Sequence, residues 1–344
     1  MLAFAIKAGE HLWQINNKSS GMGIGRVGQQ GIVFAVFAAL FAVFAVFLPG
    51  FFTAANMLTL LQNVAVLGIL GLAMAIVVIG RGIDISLVAA LAVPPGLVLQ
   101  MVQDGHSLPV SLAAAFALTT TFGLVNGWLI AYAEVPSLFT TLASGLFLAG
   151  LGQASLFSLD VVQWSPGLDG FERLGQGNLF GIPMPIIMFA LSCIAVALLL
   201  RQTRIGAYIY AIGDNPFAAR VTGIPTRPII VLQYVLAATI GCVAGLVLAA
   251  SVNSMPTRIF NSTLIYDVIL VVVLGGIGLS GGRGGVVNVL IGTLLIGTML
   301  NGMTIMDVSY SGQNLVKGVV LLAAVIMDSL LNPRNEETAQ QGDI

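Results

Sequence analysis

Gly276-Ile277-Gly278-Leu279-Ser280-Gly281 follows the apolar run 268–274 and has the form G-x-G-x-x-G. Such a turn cradles a pyrophosphate when it sits in a βαβ unit with an acidic residue about 20 positions on. That position falls near Asn301, and both flanks are long apolar runs. Dinucleotide chemistry is therefore not expected. No G-K-[ST] occurs, so the chain holds no phosphate-binding loop for ATP. His11 and His106 stand alone, and Cys193 and Cys242 lie inside apolar runs. They form neither zinc spacing nor a Ser/His/Asp set, and the cysteines read as small buried hydrophobes. Charged residues at apolar runs carry more information, because one at the bilayer centre costs about 2.5–3.5 kcal/mol on insertion scales. Asp84, beside Arg81, reads either as a cap or interfacial ion pair, or as a pathway or gate residue. Asp267 and Lys317 read as snorkelling or mutually paired groups, and Glu134 as solvated.

These residues must be positioned by apolar elements. The chain has 344 residues, of which 58% are hydrophobic and 8% charged, with mean hydropathy +1.01. A soluble domain carries about 25% charged residues, so this chain has too few polar side chains to cover a surface facing water. Apolar runs of about 20 residues recur, the length of a bilayer-spanning helix. The alternating segments of about 10 residues that mark a membrane β-barrel are absent. The expected class is an all-α polytopic membrane protein. A net charge of −1 gives no reason to expect nucleic acid as a partner.

About ten spans are expected, near 31–49, 59–79, 84–102, 109–131, 136–158, 184–200, 228–250, 264–280, 285–303 and 312–331. Proline and glycine mark the breaks. Residues 1–30 and 332–344 read as tails, and 31–331 as the membrane domain. The first tail carries Lys7, Lys18 and Arg26 with no convincing cleavage site, which reads as an uncleaved segment, either resting on the membrane surface or unstructured. Placing those basic residues in the cytoplasm puts both termini and the loop 201–227 there too. That loop holds Arg201, Arg204, Arg220 and Arg227. Loop 159–183, with Asp160, Asp169 and Glu172 against Arg173, falls outside.

The basic loop carries local signals of its own. Asp214 or Asn215 can cap a helix, Pro216 suits its first turn and Gly223 can end it. These predict a helix of about two turns over 216–222, outside the bilayer, with the small Ala218 and Ala219 allowing close approach. An ordinary positive-inside loop accounts for the arginines without the cap.

The segment 203–229, TRIGAYIYAIGDNPFAARVTGIPTRPI, resembles the signature loop of ABC importer permeases of the ribose-type monosaccharide branch. GRGIDISLVAALA at 80–92, NGWLIAYAEVPSLFTTLASG at 126–145 and DVILVVVLGGIGLSGGRGGVVNVLIGTLLIG at 267–297 resemble further segments of that family. The likeness covers about residues 55–331. Ser86-Leu87-Val88 and the pair Pro94-Pro95 depart from its usual pattern, which bears on the ligand more than on the class. The resemblance implies a transport subunit in a bacterial inner membrane, without chemistry or bound cofactor of its own. It implies a second permease subunit (identical or not), a cytoplasmic ATP-binding subunit that holds ATP and Mg, an external sugar-binding protein, and membrane lipid around the whole. It further implies ATPase coupling through Asp214, Asn215, Ala218, Ala219, Arg220, Gly223 and Ile224. Candidates for a sugar path are Asp84, Ser86, Asn126, Thr140, Thr141, Asn301 and Asn314, with Phe139 able to stack on a sugar ring. Helix–helix hydrogen bonding is the alternative role for such polar residues. The resemblance leaves the carried solute open among a pentose, a hexose, a polyol and a sugar-derived signal. Two other classes make different demands on the sequence. A gradient-driven transporter needs carboxylates deep in its spans, and an integral-membrane enzyme needs clustered titratable groups.

The pentapeptides GIDIS at 82–86 and GIGLS at 276–280 are alike at four of five positions. That is compatible with an internal repeat and too short to exclude chance.

Overall fold

The computed structural model describes residues 29–156, 160–165, 168 and 170–331. The expected tails, with Lys7, Lys18 and Arg26, and also Asp169, lie outside the described residues. Helices run in the order α1 (Gln29–Phe47), α2 (Ala54–Ile79), α3 (Leu87–Gln103), α4 (Leu108–Ala131), α5 (Ser137–Leu151), α6 (Arg173–Gln176), α7 (Met184–Gln202), α8 (Arg204–Asp214), α9 (Pro216–Val221), α10 (Thr226–Val252), α11 (Leu264–Leu274), α12 (Val286–Ile305) and α13 (Tyr310–Leu331). Among the described residues seven helices are long and apolar enough to cross a membrane, and α1, α3 and α11 are shorter apolar helices. Together they correspond one to one with the ten expected spans. The protein is an all-α polytopic membrane protein.

From Val64 to Ile79 helix α2 is apolar around its whole circumference and almost continuously buried. A helix with no polar face belongs inside a bundle, and α2 is the central post. Helix α10 packs closely beside it, and α4 packs closely on α10. Gly123 and Gly127, four residues apart on α4, lie against the backbone of Val235 and Val231 on α10. Small residues at that spacing let two backbones approach where lipid supplies no hydrophobic drive. The pair Pro94-Pro95 stands inside α3. Proline lacks an N–H and so cannot bond the carbonyl four residues back; for Pro95 that carbonyl is on Leu91, and it faces Gly245 of α10, where a Cβ would overlap it.

Two irregular stretches interrupt the bundle at one end. Residues 80–86 separate α2 from α3, and 275–285 separate α11 from α12. The sequence placed the second boundary at 280, whereas the helix ends at Leu274. Glycine is the reason: Gly276, Gly281, Gly282 and Gly284 all adopt positive φ, where the helix cannot continue. Likewise the span expected from 84 starts at Leu87.

At the opposite end, strand β1 (Val161–Gln163) pairs antiparallel with β4 (Ser254–Pro256), Val162 opposite Met255. Arg258 pairs with Asp160 at 2.7 Å, reinforcing this ribbon. Between them, β2 (Asn178–Leu179) and β3 (Ile182–Pro183) form a small hairpin. Of the two roles open to Asp267 and Lys317, snorkelling or mutual pairing, the structure has the pair. Lys317 Nζ of α13 lies 2.8 Å from Asp267 Oδ1 of α11 and also donates to Thr263 Oγ1 at 3.2 Å.

Candidate functional site

The basic loop folds into two short helices meeting at a corner. Thr203 opens α8, its hydroxyl accepting from Gly206 N at 3.1 Å. Ile209 and Ile212 bury one face of α8. Asn215, and not Asp214, caps α9: its Oδ1 accepts from Ala218 N at 3.0 Å. Pro216 occupies the first turn, where its missing N–H has no helical partner to lose. The far end closes with two reversed bonds, Gly223 N to Arg220 O at 3.1 Å and Ile224 N to Ala219 O at 3.0 Å. This closure requires a left-handed residue, and Gly223 has φ +86°. The helix ends at Val221, one residue short of expectation. Ala219 is buried, while Phe217 and Val221 are 63% and 71% exposed. Four residues apart on a helix, these two share a face.

The corner rests on the end of α2 and on the irregular stretch 275–285. Tyr210 Oη donates to Gly284 O at 2.7 Å. Burial pushes the Tyr210 phenol above its usual range, with the Arg201 charge opposing, so it remains a donor at neutral pH. A Cβ on Gly213 would overlap both Ile79 O and Gly282 N. The two stretches are themselves joined. Gly282 N donates to Ile79 O at 2.8 Å, and Arg81 Nε donates to Ser280 O at 2.8 Å. The two look-alike pentapeptides therefore belong to one junction beneath the basic loop.

From this junction the first stretch reaches α5 and α4. Ile83 N donates to Ser137 Oγ at 3.2 Å, and Ile85 N donates to Thr141 Oγ1 at 3.1 Å. Asp84 Oδ1 accepts from Ser86 N at 3.0 Å and from the Ser86 hydroxyl. Ser86 Oγ in turn accepts from Asn126 Nδ2 at 3.1 Å. Asp84, Ser86, Asn126 and Thr141 thus form one buried cluster, with Thr140 buried beside it on α5. Backbone outside a helix survives at membrane depth only when protein encloses and satisfies it, and this cluster supplies part of that satisfaction.

The remaining path candidates lie elsewhere. Phe139 is 63% exposed, on the opposite face of α5 from Thr140 and Thr141. Asn301 exchanges reciprocal bonds with Asn56 of α2 at 2.9 and 3.0 Å. Asn314 accepts from Thr263 at 3.3 Å, next to the Lys317–Asp267 pair. The sequence reading named neither Ser137, Tyr210 nor Gly213 as a site residue, and it had no helix over 204–214. A signal was present for the helix: Thr203 precedes a segment whose isoleucines recur at helical spacing.

A family model described as branched-chain amino acid transport system / permease component matches residues 56–325. The chain belongs to this permease family. It is 36% identical over 286 residues to the ribose import permease of Bacillus subtilis (strain 168), covering 81% of this chain and 86% of that one. It is 34% identical over 272 residues to the galactofuranose transporter permease of Escherichia coli (strain K12), covering 78% of each. The L-arabinose transport system permease of the same strain is 34% identical over 282 residues, covering 82% of this chain and 84% of the other. No solved structure matches significantly. The permease is a multi-pass membrane transport subunit and not an enzyme.

Proposed function

We propose that this permease forms the translocation path of an ATP-driven importer of a monosaccharide in a bacterial inner membrane. Its relatives named for ribose, galactofuranose and L-arabinose support a sugar of that size as cargo. Two permease subunits enclose the path, an external binding protein delivers the sugar, and two cytoplasmic subunits bind ATP with its Mg and hydrolyse it.

The observation that carries the reading is α9. Six residues make a poor helix in water, yet this one is capped at both ends and turns an apolar face outward through Phe217 and Val221. An exposed apolar face outside the bilayer suits a groove on a partner. On this reading 214–224 is the docking and coupling segment. Arg220 faces an acidic rim of the ATPase. Asn215 and Gly223 keep the helix rigid enough to transmit a push.

The test is co-expression with the ATP-binding subunit encoded beside it, followed by reconstitution. The native pair is expected to co-purify and to hydrolyse ATP faster with sugar-loaded binding protein. Gly223→Pro or Arg220→Glu is expected to abolish that stimulation. If no ATPase associates and both variants transport normally in cells, the docking role is wrong.

A further inference from the structure

The coupling segment is continuous with α10, so the obvious route for a push runs along the chain into that helix. The contacts suggest a different one. Gly213 and Tyr210 seat the corner of the loop against Ile79, the last residue of α2, and against the irregular stretch 275–285. Gly282 N to Ile79 O ties that stretch to the end of α2, and Arg81 Nε to Ser280 O ties it to the stretch 80–86. The stretch 80–86 then ends on two hydroxyls of one helix turn of α5, Ser137 and Thr141. A Cβ on Gly213 or Gly282 would meet backbone atoms, so the contact has no flexible side chain to absorb displacement.

We propose that the 80–86 stretch is a relay: it carries displacement of the coupling segment into α5, with Ser137 and Thr141 as its positioning residues. Three observations converge on this. The stretch lies outside any helix, so its dihedrals can change without shearing a hydrogen-bonded ladder. Arg81 holds φ +70°, a conformation that costs a non-glycine residue about 1–3 kcal/mol and persists only where surroundings enforce it. The helix it grips turns an apolar face out of the subunit through Leu138, Phe139, Leu142, Leu146 and Phe147, so a shift of α5 changes the subunit's surface. Helix α10, by contrast, is packed against α2, α3 and α4 along much of its length.

The relay rests on the coupling reading above, and its test separates the two. In the reconstituted complex, the readout is the ratio of ATP hydrolysis with and without sugar-loaded binding protein. Loss of folded complex lowers both rates together and leaves the ratio unchanged. Ser137→Ala combined with Thr141→Val should lower the ratio at least about fivefold, the scale of a typical coupling energy. Thr141→Ser, which keeps the hydroxyl, should restore most of it in the Ser137→Thr background. A native ratio in the double variant overturns the relay and leaves the docking reading intact, whereas failure of the ATP-binding subunit to associate with the native chain overturns the docking reading itself.

A second measurement needs no variant. Amide hydrogen exchange on the native complex, with and without a non-hydrolysable ATP analogue, should change together over 79–86 and 137–145. A change confined to the start of α10 sends the push along the chain and overturns the relay.

Discussion

At the scale of single residues, the buried pair Lys317–Asp267 has the clearest energetic consequence. Removing one member strands the other in a medium that cannot solvate it, at a cost of about 3–5 kcal/mol, while replacing both by apolar residues is often neutral. Lys317→Met is therefore expected to lower the detergent melting temperature sharply. Lys317→Met with Asp267→Leu should recover most of the loss, and thermal melts of the four proteins in that cycle check it. The cap of α9 makes a smaller prediction. Asn215→Ala removes the acceptor for Ala218 N and should weaken the helix by about 1 kcal/mol. Gly223→Ala forces a Cβ into φ +86° and should cost a similar amount; nothing lies within 4 Å of that position, so the strain is purely in the backbone. Both are expected to reduce ATPase affinity about fivefold to tenfold in a pull-down titration without altering the bundle's melting temperature. These residues were legible in the sequence because capping and left-handed ends are local: Asn215, Pro216 and Gly223 state them within one segment. Ser137 and Gly213 were not, because their meaning depends on backbone that is remote in the chain.

At the scale of elements, what decides is how closely helices approach. Gly127→Leu would drive a side chain into the backbone of Val231, and α4 and α10 can accommodate it only by separating. A well-packed interior charges about 1–3 kcal/mol for overpacking, and more when backbone must move. The variant should insert into membranes yet fail to yield monodisperse protein on size exclusion. The same scale explains where the sequence misled about boundaries. Apolar content carries the span near 264–280 through the glycines, since hydropathy does not register φ. The structure stops at Leu274 because the glycine-rich stretch bonds sideways to Ile79 and Arg81 instead of upward along a helix. Helix α8 escaped for the opposite reason: its eleven residues carry a buried face too short to look like a span.

At the scale of the whole molecule, ten apolar helices and the distribution of arginine imply a definite sidedness. Cysteine substituted for Arg220 should react with an impermeant maleimide only in inside-out vesicles, and cysteine at Gln163 only in right-side-out ones. The native Cys193 and Cys242 are buried and provide a quiet background. Labelling of both new positions from one side would require an odd number of crossings between them to be abandoned. The ribbon at the far end adds a constraint of another kind. Val161–Gln163 finds its mate only at Ser254–Pro256, after α7, α8, α9 and α10 have emerged. At about 5–20 residues per second of synthesis, the first strand waits roughly 5–20 s with an open edge. The nascent chain is thus left with an unsealed seam while the segments between are threaded into the bilayer.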